Sequence, residues 1–158
     1  MFQIGDKVVY PMHGAGIIEA IEEREILGET RHYYVMHLPV GNMKVFVPLD
    51  NVNSLGLRGV ISSEEVDNVF DVLRARQTIA VQAWNRRYRA NLEKIKGGNI
   101  IDVAEVVSAL AQRDKEKGLS TGEKKMYENA YQILISELVL AENLAEQEIK
   151  QKLSKILA

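Results

Sequence analysis

The sequence predicts an α+β chain in which a small N-terminal antiparallel β domain is followed by a bundle of five helices. Three observations carry that prediction. Over roughly the first 50 residues, short β-branched and aromatic runs are separated by turns containing glycine or proline. Two capping boxes, Ser62-Ser63-Glu64-Glu65 and Ser120-Thr121-Gly122-Glu123, occur only after that region. From there onward apolar residues recur at helical spacing. With 158 residues and 46% hydrophobic composition, the chain can bury one medium core or two small ones.

The strands follow in order. Asp6 to Tyr10 ends at Pro11, Ala15 to Ile26 follows His13-Gly14-Ala15-Gly16, and Arg31 to Leu38 follows the turn Leu27-Gly28-Glu29. Met43 to Val47 follows Pro39-Val40-Gly41-Asn42. The connections are of hairpin length, so neighbouring strands run antiparallel. Tyr33, Val35 and His37 alternate with Tyr34, Met36 and Leu38 and should face opposite sides. A sheet this small must bend strongly, which predicts an SH3- or Tudor-like domain over residues 1–55. Such sheets leave an edge open to a strand of another protein, unless charges such as Glu22, Glu23, Arg24 and Glu25 guard it.

Asn51 to Gly59 reads as a joint because Gly56 and Gly59 break both patterns, and a helical domain is expected over 60–158. Val66, Val69, Phe70 and Leu73 make the apolar face of a first helix behind the Ser62 capping box. Arg76 to Ala83 is ambiguous. A basic helix runs from about Asn85 to Lys96 and stops at Gly97-Gly98. A third spans Ile100 to Lys117, with Ile100, Ala104, Val107, Leu110 and Ala111 on one side and Gly118 as its stop. The longest opens at Ser120 and carries the stripe Tyr127, Tyr131, Leu134, Leu138 and Ala141; a last helix covers Glu146 to Leu157.

The net charge is -2 with a pI near 6.0, which argues against a wholly basic, non-specific DNA coat protein. The distribution is uneven. Arg74, Arg76, Arg86, Arg87, Arg89, Lys94 and Lys96 stand against the single acid Glu93, so this stretch carries +6 and the rest of the chain -8. Within it lies Ala83-Trp84-Asn85-Arg86-Arg87-Tyr88-Arg89-Ala90-Asn91, which sets the chain's one tryptophan beside three arginines and a tyrosine. If Asn85 caps the helix, those arginines sit against the positive end of its dipole, a placement that an external anion such as nucleic-acid phosphate would relieve. Trp84, Tyr88, Leu92 and Ile95 also recur at helical spacing, so the same tryptophan fits a buried stripe. The residues alone leave both readings open.

Catalytic chemistry is not indicated. There is no cysteine, which excludes disulfides, thiolate zinc sites and cysteine nucleophiles. His13, His32 and His37 have no metal-ligand spacing, and His32 and His37 should point to opposite faces of one strand. Gly14-Ala15-Gly16 leads into a strand rather than a phosphate-binding helix, and neither a Gly-x-Ser-x-Gly nor a P-loop pattern occurs. The expectation is therefore no enzyme, no cofactor, no metal and no small-molecule substrate. No apolar run approaches the roughly 20 residues that cross a bilayer, and Met1 to Lys7 reads straight into a strand. No membrane partner and a cytoplasmic location are expected.

The opening Gly5-Asp6-Lys7-Val8-Val9-Tyr10-Pro11, with His13-Gly14, resembles the start of the CarD family of bacterial transcription regulators and the polymerase-binding module of transcription-repair coupling factors. The resemblance continues through Val69-Phe70-Asp71-Val72-Leu73-Arg74-Ala75, Trp84 to Lys94, Val103-Ala104-Glu105-Val106-Val107 and Gly118-Leu119-Ser120-Thr121-Gly122-Glu123-Lys124. It spans nearly the whole chain, and the helical half separates CarD proteins from the repair factors. The resemblance implies docking of the N-terminal domain on the RNA polymerase β subunit through an exposed strand, with Arg24 at a family contact position. Phe46 stands where some relatives carry arginine. It also implies that the helical domain reaches promoter DNA: the residue matching Trp84 wedges into the minor groove at the upstream edge of the melted bubble. Arg86 and Arg89 then lie along the backbone, with Arg87 in the same basic run and Lys124 also facing DNA. The expected outcome is a stabilised open promoter complex with weak sequence preference. The alternative is a protein-protein adaptor without direct DNA contact, which lacks the steep salt dependence of phosphate binding.

Overall fold

A computed structural model describes residues 2–75 and 83–158. The four expected strands form as β1 (Lys7–Tyr10), β2 (Gly14–Ile26), β3 (Glu29–Leu38) and β4 (Met43–Pro48). A fifth, β5 (Arg58–Gly59), pairs with β1 inside the stretch expected to be a joint, so the sheet extends beyond residue 55. The order is β4-β3-β2-β1-β5, every neighbouring pair antiparallel. The register shifts between Ile18 and Ala20, and the bulge there bends β2. Tyr34, Met36 and Leu38 share a core with Val8, Ile18 and Val47, as their alternation requires. Tyr33 and Val35 are buried as well, so the middle of β3 is covered on both faces.

The helices are α1 (Ser63–Arg74), α2 (Trp84–Lys96), α3 (Ile100–Lys117), α4 (Thr121–Glu142) and α5 (Glu146–Leu157). The ambiguous stretch Arg76 to Ala83 falls, except for its last residue, outside the described residues. At α1 the capping box is complete, Ser62 and Glu65 each satisfying the other's backbone amide. At α4 it is half made: Ser120 Oγ accepts from Glu123 N–H, while the Glu123 carboxylate turns to the Ser120 hydroxyl instead of the backbone. Val66, Val69, Phe70 and Leu73 of α1 pack with α3, α4 and α5 residues in one helical core.

The stripe expected on α4 packs in the helical core, but burial extends well beyond it. Tyr127, Tyr131 and Ala141 are only partly covered, whereas every residue from Ile133 to Leu138 is buried. The reason is tertiary: α4 is wrapped by α1, α3 and α5 and also packs against β2 of the sheet. Val9 and Ala15 meet Leu140 across that contact. Polar bonds seal it. Ala15 N donates to Ser136 Oγ at 2.8 Å, Lys7 Nζ to the Leu140 carbonyl at 3.0 Å, and Arg58 grips Glu137 with two bonds of 2.7 Å. Gly14, at φ +118°, is needed here, since a Cβ would stand 2.8 Å from Ser136 Oγ. The sheet and the helices are thus joined along α4.

Candidate nucleic-acid interface

Asn85 is not the cap of the basic helix. α2 begins at Trp84, after an extended Ala83 that makes no side-chain bond to the first turn. A side-chain cap is worth about 0.5–2 kcal/mol, and tertiary contacts of the tryptophan take its place. The indole stacks on Tyr88, with centroids 4.9 Å apart and planes at 18°. Its edge lies against Gly122 of α4, where an added Cβ would sit 3.5 Å from Trp84 Cζ2. Nε1 donates to Ser120 Oγ at 3.1 Å. The residue remains 43% exposed. The stripe of which it is part is graded, from a sealed Ile95 through half-buried Leu92 and Tyr88 to Trp84 at the surface. Each of the two sequence readings therefore describes part of the ring.

The hydroxyl that meets the indole also bonds a buried carboxylate whose burial the sequence reading missed. Glu123 is 2% exposed, and Arg87 donates to it through Nε at 3.1 Å and Nη2 at 3.5 Å. Arg113 Nε of α3 stands 3.7 Å from the same carboxylate. Burial alone would raise the Glu123 pKa; the Arg87 bond and charge, the Ser120 hydroxyl and the Arg113 charge outweigh it and hold the group below the ordinary 4.5. Arg87, expected among the nucleic-acid contacts, turns inward, and its fork is engaged by the protein's own carboxylate. The Ser120–Glu123 box was visible in the sequence. Nothing local signals that the same carboxylate also meets a residue 36 positions earlier.

The expected basic face narrows in the same way. Lys94 pairs with Glu105 at 2.9 Å, Arg74 with Asp71 at 3.4 Å and Lys96 with Glu93 at 4.0 Å. Arg76 lies outside the described residues. Arg86 and Arg89 are exposed on α2 and have no partner among the described residues, and Lys124 is exposed in the first turn of α4. Because Trp84 opens α2 and touches Ser120, the cap of α4, two helix N-termini converge at the indole. Each contributes free amides and the positive end of its dipole, so the surface around the ring favours an anion.

The two residues expected on the polymerase side are brought together. The Arg24 guanidinium lies 4.1 Å from the centre of the Phe46 ring, and Arg24 also pairs with Glu22 at 3.1 Å. Phe46 is 38% exposed on β4, which is a terminal strand of the sheet. His37 bonds Asn42 Oδ1 at 2.9 Å and His32 lies 3.9 Å from Glu23. Among the described residues no group of three or more histidines and carboxylates is placed to hold a metal, and no helix is long and apolar enough to cross a membrane.

Comparison with known proteins gives a consistent result. The family model described as CarD-like/TRCF RID domain matches residues 2–61, and the model described as CarD, C-terminal domain matches residues 68–154. The Bacillus subtilis (strain 168) protein named "Putative transcription factor YdeB" is 45% identical over 150 residues, covering 95% of this chain and 98% of that protein. The solution NMR structure of the 72-residue N-terminal domain of Myxococcus xanthus CarD is similar over 37% of this chain and 79% of that one, at 30% identity and a TM-score of 0.33. The chain therefore belongs to the CarD family of transcription factors, with an RNA polymerase-interacting domain ahead of a CarD C-terminal domain.

Proposed function

We propose that this transcription factor docks on the β subunit of RNA polymerase through residues 1–55 and stabilises the open promoter complex through residues 60–158. Trp84 enters the minor groove at the upstream edge of the melted bubble, while Arg86, Arg89 and Lys124 lie along the flanking phosphates. Arg24, Phe46 and the outer edge of β4 meet polymerase. The protein acts in the cytoplasm and without catalysis.

One observation carries this reading. A half-exposed indole with its N–H already satisfied stands where two helix N-termini meet, beside two exposed arginines that have no carboxylate partner among the described residues. An aromatic wedge costs a few kcal/mol where it must unstack an intact duplex and much less where the strands have parted, so it favours the melted state. Each 1.4 kcal/mol of such preference shifts the closed-to-open ratio about tenfold. Minor-groove contact carries little base information, so delivery by polymerase supplies the specificity. A photocrosslinker at position 84 should label promoter DNA at the upstream bubble edge in the polymerase complex. Trp84→Ala should bind polymerase normally and shorten open-complex lifetime. Crosslinks to protein alone, with an unchanged lifetime, would return the molecule to the adaptor reading.

A further inference from the structure

The indole N–H of Trp84 can only donate, so the ring's orientation depends on the acceptor it meets, Ser120 Oγ at 3.1 Å. A hydroxyl has two acceptor positions and one proton. Both acceptor positions of Ser120 are occupied, by Trp84 Nε1 and by the Glu123 amide at 3.2 Å. The proton goes to Glu123 Oε1 at 3.2 Å, and an ionised carboxylate, which can only accept, fixes that direction. The same carboxylate holds the tryptophan's own helix through Arg87, less than one turn along α2 from Trp84. Arg113 brings α3 to it as well; its Nε is buried without a hydrogen bond, so its attraction is one of charge at 3.7 Å. Three helices are thus tied at one buried anion, which is joined to the ring through Ser120.

We infer that Glu123 is a positioning residue for Trp84, orienting the indole through Ser120 on one side and Arg87 on the other. It has no need to touch DNA. The inference rests on the proposed role of Trp84 and adds to it the residue that pre-organises the wedge. As a cap for α4 alone Glu123 would be replaceable, since a glutamine at the third helical position serves a capping box as well as a glutamate does. Glutamine cannot supply the charge that Arg87 and Arg113 share. With the ring released into the two or three staggered χ1 wells open to it, the competent fraction falls to about a third to a half, and the effect on DNA falls by about two- to threefold.

The test uses the full chain, whose single tryptophan gives one indole N–H resonance. Glu123→Gln should move or broaden that resonance and shorten open-complex lifetime about two- to threefold. Ser120→Gly removes the indole's acceptor while glycine still caps a helix nearly as well as serine, and it should act in the same direction. If Glu123→Gln does not fold, Ser120→Gly decides. A wild-type resonance in the folded variants, or a shifted resonance with a wild-type lifetime, overturns the inference. Should Trp84→Ala itself leave the lifetime unchanged, the DNA reading falls, and the resonance alone still decides whether Glu123 orients the ring.

Discussion

Among the polar links between sheet and helices is one buried ion pair, and its asymmetry makes a sharp prediction. Arg58 binds Glu137 with two bonds of 2.7 Å, and Glu137 also accepts from Ile61 N at 2.9 Å. The Glu137 side chain is 1% exposed and the Arg58 side chain 30%. Arg58→Met strands a carboxylate that has no water to turn to, which should cost about 3–5 kcal/mol. Glu137→Met leaves a guanidinium that can rehydrate and one orphaned amide, at Ile61, for about 1–3 kcal/mol. The double variant removes both charges and leaves the Ile61 amide, with the Gly98 and Gly59 carbonyls that Arg58 also bonds, without those partners; it too should cost about 1–3 kcal/mol, less than Arg58→Met alone. Urea denaturation of the four proteins measures this, provided the slope m stays constant. Additive losses, with the double variant the least stable, would refute the claim that this pair is coupled through burial.

Four further outcomes follow from the geometry. Trp84→Ala should lower stability by about 1.5–2.5 kcal/mol in thermal or urea melts, roughly half the value for a sealed aromatic, because the ring is 43% exposed. Gly122→Ala should be neutral or stabilising by up to about 1 kcal/mol, since the new methyl meets Trp84 and Tyr88 at ordinary contact distances of 3.5 and 3.6 Å; a loss of stability would mean the ring packs more tightly on α4 than described. Glu123 has a depressed pKa, so the unfolded chain takes up its proton first as pH falls. Its contribution is full above the ordinary value of 4.5 and is lost on descending through the lower folded value; Glu123→Gln should flatten that acid limb in pH-dependent melts. In a salt series on polymerase-promoter complexes, replacing Arg86 or Arg89 by alanine should reduce the log-log slope by about 0.9 each, whereas Arg87→Ala should leave the slope unchanged and lower the melting temperature.

Much of the fold was legible because its signals are local. Apolar spacing located all five helices and four of the strands, and the Ser62 box, Gly118 and the Gly97-Gly98 stop placed helix ends to within a residue. The family resemblance rested on ordered short motifs and agrees with the matches over both halves. β5 was not legible, because Arg58 and Gly59 have no strand propensity and owe their pairing to the grip on Glu137. The α2 cap lies two residues ahead of Asn85, at Ala83, because contact with Ser120 and Gly122 outweighed the local preference for an asparagine cap.

The candidate site divides along the same line. Sequence by itself determined that an aromatic residue sits among cations at the start of a helix, because composition and periodicity are properties of neighbours in the chain. Only the tertiary structure decided that Arg87 faces inward while Arg86 and Arg89 have no carboxylate among the described residues, and that Ser120 accepts from the indole and donates to Glu123. Helical spacing says which residues share a face; it does not say which charge waits across the gap. That depends on how α2 and α4, 36 residues apart in these contacts, are brought together by burial of their apolar sides.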